Sequence, residues 1–174
     1  GKVVGYTWCA TRCVGETPEE IRKLAADEFL KGLRSGSIAL RPGIQNLIAS
    51  LEGCGWDVWV VTASAEAIVE GVSHWLGIPT DRVIGLKIKQ CASNGAFTET
   101  AIEPVTIYQG KLDAIRQFIG REPDLGAGDS DTDYEMINGS KFGIVIDRGQ
   151  PKLSQLAEGP HVWKQTGWMT RTMD

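Results

Sequence analysis

Three polar clusters in the chain carry residue types able to handle a phosphoryl group. Thr62 closes the apolar run Trp56-Asp57-Val58-Trp59-Val60-Val61, and a helical pattern follows it. Its hydroxyl and the backbone amides of Ala63 and Ser64 could all donate to an anion held at a helix N-terminus. Lys111 follows Gln109-Gly110 at the start of another helical stretch, where the helix dipole disfavours a cation. Gly128-Asp129-Ser130-Asp131-Thr132-Asp133 packs three carboxylates behind a short strand. Their mutual repulsion is best offset by a cation. Hard oxygen ligands at a strand end suit Mg²⁺, which binds through one or two carboxylates plus substrate phosphate. Each cluster also has a plainer reading: Thr62 as a helix cap, Lys111 as a solvated side chain, and the acidic run as an exposed turn in which Ser130 or Asp131 caps the next helix.

The elements that must position these residues can be read from pattern. Thr17-Pro18-Glu19-Glu20 is a helix start, with Thr17 as cap, Pro18 at the first helical position and Glu20 where a capping box places its carboxylate. Ile21, Leu24, Ala25, Phe29 and Leu33 then recur at helical spacing until Arg34-Ser35-Gly36-Ser37. A second amphipathic helix runs through Ile44, Leu47, Ile48 and Leu51 to Gly53 and Gly55. Trp56 to Thr62 reads as a strand covered on both faces, and Ala63 to Leu76 as a helix. Val83-Ile84-Gly85-Leu86-Lys87-Ile88, the turn Ser93-Asn94-Gly95 and Ala96 to Ile102 predict a β-hairpin. Helices from about Gly110 to Ile119 and Asp131 to Ile137, a strand Phe142 to Ile146, a short helix after Pro151 and a last strand near His161-Val162-Trp163 complete the chain. Alternating strands and helices predict an α/β fold, a doubly wound Rossmann-like parallel sheet with a β-hairpin, whose ligand site lies beyond the carboxyl ends of its strands.

Composition narrows the class without naming a substrate. The 174 residues carry 18 Lys plus Arg against 22 Asp plus Glu, a net charge of −4, with 42% hydrophobic residues. These are the proportions of a globular domain with a sizeable core and not of a disordered chain. The mildly acidic balance offers no footprint for a nucleic-acid backbone or an anionic membrane, and no apolar run is long enough to span a bilayer. Nucleic-acid and membrane partners are therefore not expected. Cys9, Cys13, Cys54 and Cys91 lack a Cys-x-x-Cys pair, and His74 and His161 are the two histidines, so a structural zinc site is not expected either. Reduced thiols in a cytoplasmic protein are the plain reading; a periplasmic protein with one bridge is the alternative.

Taken in order, Val60-Val61-Thr62-Ala63-Ser64, then Gly110-Lys111, then Gly128-Asp129-Ser130-Asp131-Thr132-Asp133 resembles the haloacid dehalogenase (HAD) superfamily, in its phosphoserine phosphatase-like branch. The three strings are similar to that family's second, third and fourth motifs, and the hairpin between the second and third also recurs in the branch. The resemblance implies a HAD-like core and a Mg²⁺-dependent phosphatase of small phosphorylated metabolites, working through an aspartyl-phosphate. It implies that Thr62 binds the phosphoryl group and that Lys111 neutralises charge on nucleophile and phosphate. Asp129 would be the Mg²⁺ ligand, and Asp133 would hold Lys111 or a metal-bound water; the family varies at the position of Asp131. Carbon–halogen hydrolysis on the same scaffold fits less well, because it does not need Mg²⁺.

The family's first motif, Asp-x-Asp-x-Thr or Val after an apolar strand, supplies nucleophile and general acid and is not found in this sequence. Asp147 ends a strand but is followed by Arg148-Gly149-Gln150 and comes after the fourth motif; the early strand-like stretch Lys2 to Thr7 has no carboxylate. Residues 1–38 resemble part of a helical cap, with Trp8 as a possible substrate contact, and residues 39–174 the catalytic core without its nucleophile strand. The expectation is that a missing N-terminal segment or a second chain completes the sheet beside Thr62, and that this chain alone is inactive. The alternative is a degenerate HAD-like domain that binds a phosphorylated ligand or a partner protein without catalysis.

Overall fold

The structure, a computed structural model, describes residues 1–147, Leu153 and 161–165. The chain separates into two compact units, Gly1–Leu40 with Gln45–Thr106, and Arg41–Ile44 with Ile107–Asp174.

In the first unit the opening segment is a helix, α1 (Lys2–Ala10), where Lys2 to Thr7 reads as strand-like in sequence. Val3 and Val4 favour extended backbone, yet they stay 43% and 70% exposed. The buried end decides the conformation: Ala10 and Cys13, one helical turn apart, both enter the core, and Thr11 Oγ1 donates to the Trp8 carbonyl at 3.0 Å. Helix α2 (Pro18–Ser35) begins as expected. The Glu20 amide donates to Thr17 Oγ1 at 3.3 Å, the Thr17 amide returns a bond to Glu20 Oε2 at 2.8 Å, and Gly36 ends the helix at φ 72°. Helix α3 (Pro42–Gly53) follows.

Strand β1 (Val60–Ala65) departs from its expected course at both ends. Trp56 to Trp59 lie outside it, Val60, Val61 and Thr62 are only half-buried, and the strand runs three residues past Thr62. Ala63 and Ala65 are buried while Ser64 is exposed, a two-residue alternation that suits a pleated strand. The helix read from Ala63 to Leu76 is therefore shorter: α4 (Glu66–Glu70), then Gly71 and a tight turn at Ser73–Leu76. Strands β2 (Val83–Gln90) and β3 (Phe97–Ile102) form the expected hairpin. Strand order is β1-β2-β3, with β1 parallel to β2. The core joins Ala10, Cys13 and Ile21 to Ala65, Leu86, Ile88 and Phe97.

The second unit contains α5 (Gln109–Phe118), β4 (Leu125–Gly128), α6 (Tyr134–Asn138), β5 (Phe142–Ile146) and β6 (Val162–Gln165). Its three strands are all parallel in the order β4-β5-β6. The helix read from Asp131 divides into a tight turn, Asp131–Asp133, and α6. Ile137, Val145 and Leu153 form the core, with Tyr134 and Val162 packed on it. The short helix expected after Pro151 lies outside the described residues apart from Leu153. Among the described residues, then, β1 and β4 are each the outer strand of a three-stranded sheet. No described helix is long and apolar enough to cross a membrane.

The α2 cap provides a test of local stability. Its bonds from Thr17 hold the Glu20 carboxyl below the usual carboxylate range. A lowered value means that this contribution is present above the ordinary Glu titration and is lost as the pH falls through the lowered value. Thr17→Ala is expected to cost about 1 kcal/mol in denaturant unfolding at neutral pH. The same substitution should move the Glu20 titration, followed by NMR, back up toward the ordinary range.

Candidate functional site

The parallel order of β4 and β5 delivers Asp129 at the carboxyl end of β4, where the backbone turns away from the sheet. That turn is built around Asp133. Its Oδ2 accepts from the amides of Asp129 (3.1 Å) and Ser130 (3.0 Å), and its Oδ1 accepts from Lys111 Nζ at 2.6 Å. Both side chains of the Lys111–Asp133 pair are nearly excluded from solvent, 7% and 8% exposed. Two charges in such surroundings persist because each is matched by the other and the remaining carboxylate oxygen is satisfied by backbone donors. Lys111 is thus a buried ion-pair partner and not a solvated side chain. Gly128 is needed for the approach, since a Cβ there would lie 2.7 Å from the Asp133 carboxylate carbon.

Ser130 caps the turn, accepting from the Thr132 amide at 3.3 Å and from Thr132 Oγ1 at 3.1 Å, and donating to Asp131 Oδ1 at 3.3 Å. Asp131 and Thr132 are buried with Asp133, so the acidic run is not an exposed turn. The start of α5 is tied to it through Tyr108, whose amide donates to the Thr132 carbonyl at 3.1 Å and whose carbonyl accepts from the Lys111 amide at 3.1 Å. Tyr108 does this at φ 55°, a backbone conformation that costs a non-glycine residue about 1–3 kcal/mol and is held only where the surroundings over-determine it. Sequence reading did not single out Tyr108; nothing in its residue type signals a positive φ.

Thr62 lies in the other unit, in β1, and not directly before a helix: α4 begins at Glu66. Its Oγ1 accepts from the Ser64 amide at 3.1 Å, and its carbonyl accepts from Thr106 Oγ1 at 2.5 Å. The structure brings together Lys111, Asp133, Asp129 and Ser130 in the second unit, and Thr62, Ala63 and Ser64 in the first. Beside the latter, Glu66 accepts from the Gly85 amide at 3.0 Å and from Lys87 Nζ at 2.5 and 2.6 Å, contacts absent from the sequence reading. Among the described residues no group of three or more His, Cys, Asp or Glu side chains is placed to hold a metal ion. The hard oxygens of Asp129 at a strand end still suit Mg²⁺, which takes one or two carboxylates and completes its shell with water and phosphate oxygens.

Comparison with known proteins assigns the class. The family model for haloacid dehalogenase-like hydrolases matches residues 9–138. The chain belongs to that family, and its mixed α/β fold with parallel strands is the family's fold. No curated protein matches it in sequence. Among solved structures, a protein of unknown function from Anaerococcus prevotii aligns with TM-score 0.68 and 19% identity over 82% of this chain and 47% of its own. A phosphoserine phosphohydrolase-like protein from Francisella tularensis aligns with TM-score 0.56 and 18% identity, over 81% of this chain and 65% of its own. A probable phosphoserine phosphatase from Vibrio cholerae aligns with TM-score 0.53 and 17% identity, over 84% of this chain and 55% of its own. The chain therefore spans about half to two thirds of the length of these structures.

The buried pair predicts a particular pattern of stability. Lys111→Met leaves Asp133 without its cation and is expected to cost about 3–5 kcal/mol in denaturant unfolding. Adding Asp133→Asn to that variant should recover part of the loss, because Asn can still accept from the two amides and no unmatched charge stays buried. A double variant no more stable than Lys111→Met would show that the ion pair is not what the turn depends on.

Proposed function

We propose that this chain is the phosphate-handling part of a Mg²⁺-dependent phosphomonoester hydrolase acting on a small phosphorylated metabolite. The single observation that carries the reading is the buried Lys111–Asp133 pair whose carboxylate also organises the Asp129–Ser130 turn. An ammonium group fixed in this way beside a strand-end carboxylate is suited to neutralising charge on a transferring phosphoryl group, and such neutralisation with positioning supplies most of the rate in phosphoryl transfer. Asp129 would hold Mg²⁺, which supplies charge neutralisation at the phosphate oxygens when bound. The Thr62 hydroxyl with the Ala63 amide would bind the phosphoryl oxygens, while the Ser64 amide, which the sequence also offered as a donor, is committed to Thr62 Oγ1. Asp133 keeps Lys111 oriented.

In this reading residues 1–38 are part of a helical cap and residues 39–174 the catalytic core. The nucleophile of the aspartyl-phosphate lies outside this sequence, on a further segment or a second chain, because no Asp-x-Asp motif follows an apolar strand here. Among the described residues β4 is an outer strand of its own sheet, and an outer strand can accept a further strand at its edge, which supports such a completion. The setting we propose is the cytoplasm, with the periplasm as the alternative; Cys9, Cys13, Cys54 and Cys91 are free thiols.

The test begins with the 174-residue chain and inorganic phosphate. Binding that strengthens with Mg²⁺, without turnover of p-nitrophenyl phosphate, is the expected result. Turnover should appear when a segment bearing an Asp-x-Asp strand is supplied in the same chain or in trans. In that active form Asp129→Asn should abolish Mg²⁺-dependent turnover with little change in far-UV circular dichroism; full activity would remove Asp129 from the metal site. Lys111→Ala should lower kcat/KM by about 10²–10³, the cost of losing one charge-stabilising donor. Phosphate binding that never leads to turnover with any such segment would favour the non-catalytic binding domain instead.

A further inference from the structure

We propose that Thr106 is a positioning residue for the turn Thr62–Ser64, setting the geometry with which that turn meets a phosphoryl group; the inference rests on the reading of Thr62 as a phosphate ligand. The argument starts from strand register. β1 pairs with β2 at Val60↔Val83 and Val61↔Ile84 and next at Ala65↔Leu86. Between these pairs β1 places Thr62, Ala63 and Ser64 opposite the single residue Gly85. The two extra residues form a bulge that lifts Thr62 out of the regular ladder, so that its carbonyl needs a donor from elsewhere.

Thr106 supplies it. Its Oγ1 donates to the Thr62 carbonyl at 2.5 Å, from a side chain that is 0% exposed, where no solvent competes for the bond. The other face of the same residue is also fixed: Thr62 Oγ1 accepts from the Ser64 amide at 3.1 Å. A hydroxyl accepts and donates independently, so that bond leaves the Thr62 proton to point at an anion. The far end of the bulge is held by Glu66, which bonds the Gly85 amide and Lys87 Nζ on β2. Gly85 lies so close to the Glu66 backbone that a Cβ would collide with it, which fixes where β1 rejoins its neighbour. Glu66 thus anchors the exit of the turn, and Thr106, 44 residues away in sequence, anchors its entry.

Thr106→Val removes the hydroxyl at nearly constant shape, and Thr106→Ser keeps it. In the 174-residue chain, hydrogen exchange at the Ser64 amide and the Kd for inorganic phosphate read the geometry of the turn directly. Thr106→Val should speed Ser64 exchange and weaken phosphate binding by about tenfold each, the scale of one net hydrogen bond, while Leu86 in β2 keeps its protection. Thr106→Ser should restore both. If Thr106→Val does not fold, Thr106→Ala against Thr106→Ser makes the same comparison. Ser64 exchange unchanged without the hydroxyl overturns the proposal, whatever phosphate does. A wild-type chain that binds no phosphate while Ser64 exchange still follows the hydroxyl would remove Thr62 as the ligand but leave Thr106 as what holds the turn.

Discussion

The second unit depends on one buried ion pair. Lys111 and Asp133 come from different elements, and each would be costly to bury alone; together, with two backbone amides on the second carboxylate oxygen, they become the rigid centre of the acidic turn. From that centre the neighbouring requirements follow. Gly128 must lack a Cβ because Asp133 occupies its space, and Asp129 leaves β4 in a fixed direction because its own amide is committed to Asp133. Tyr108 accepts an unfavourable φ because its amide and carbonyl are bonded to the two sides of the same assembly. In the phosphatase proposed above, such prior commitment would let these groups meet developing charge without reorganising.

The first unit solves a different problem by different means. Here the polar residues lie on a strand, and a strand in register offers its carbonyls and amides to its neighbour and not to a ligand. The bulge in β1 frees them, and the freed groups are then satisfied one by one: the Thr62 carbonyl by Thr106, the Ser64 amide by Thr62 itself, the Gly85 amide by Glu66. Nothing of this kind is provided by a helix N-terminus, which the strand's continuation to Ala65 moves away from Thr62.

What the sequence made legible was local chemistry. The α2 cap, the hairpin with its Ser93-Asn94-Gly95 turn, and the order of Thr62, Lys111 and Asp129 could be read because each signal lies within a few adjacent residues. The family model matches residues 9–138, a span that includes all three strings. Two readings failed where tertiary context overrode local preference. Val3-Val4 favours a strand, but the burial of Ala10 and Cys13 selects a helix; Ala63-Ser64-Ala65 suits a helix, but alternating burial makes it strand. Thr106 and Tyr108 gave no signal because their roles depend on partners 44 and 24 residues away in the chain.

Each unit, taken by itself, also carries an outer strand whose sequence fits that position poorly. Among the described residues β1 and β4 are outer strands, and they are also the strands that carry Thr62 and lead into Asp129. In an open α/β sheet, ligands gather beyond the carboxyl ends of strands, and outer strands usually protect their edges with charge, proline or a covering element. β1 and β4, Val60-Val61-Thr62-Ala63-Ser64-Ala65 and Leu125-Gly126-Ala127-Gly128, contain no charged residue and no proline. Their composition is that of strands with neighbours on both sides. Each of these two sequences is therefore poorly suited to remaining an edge within its own unit.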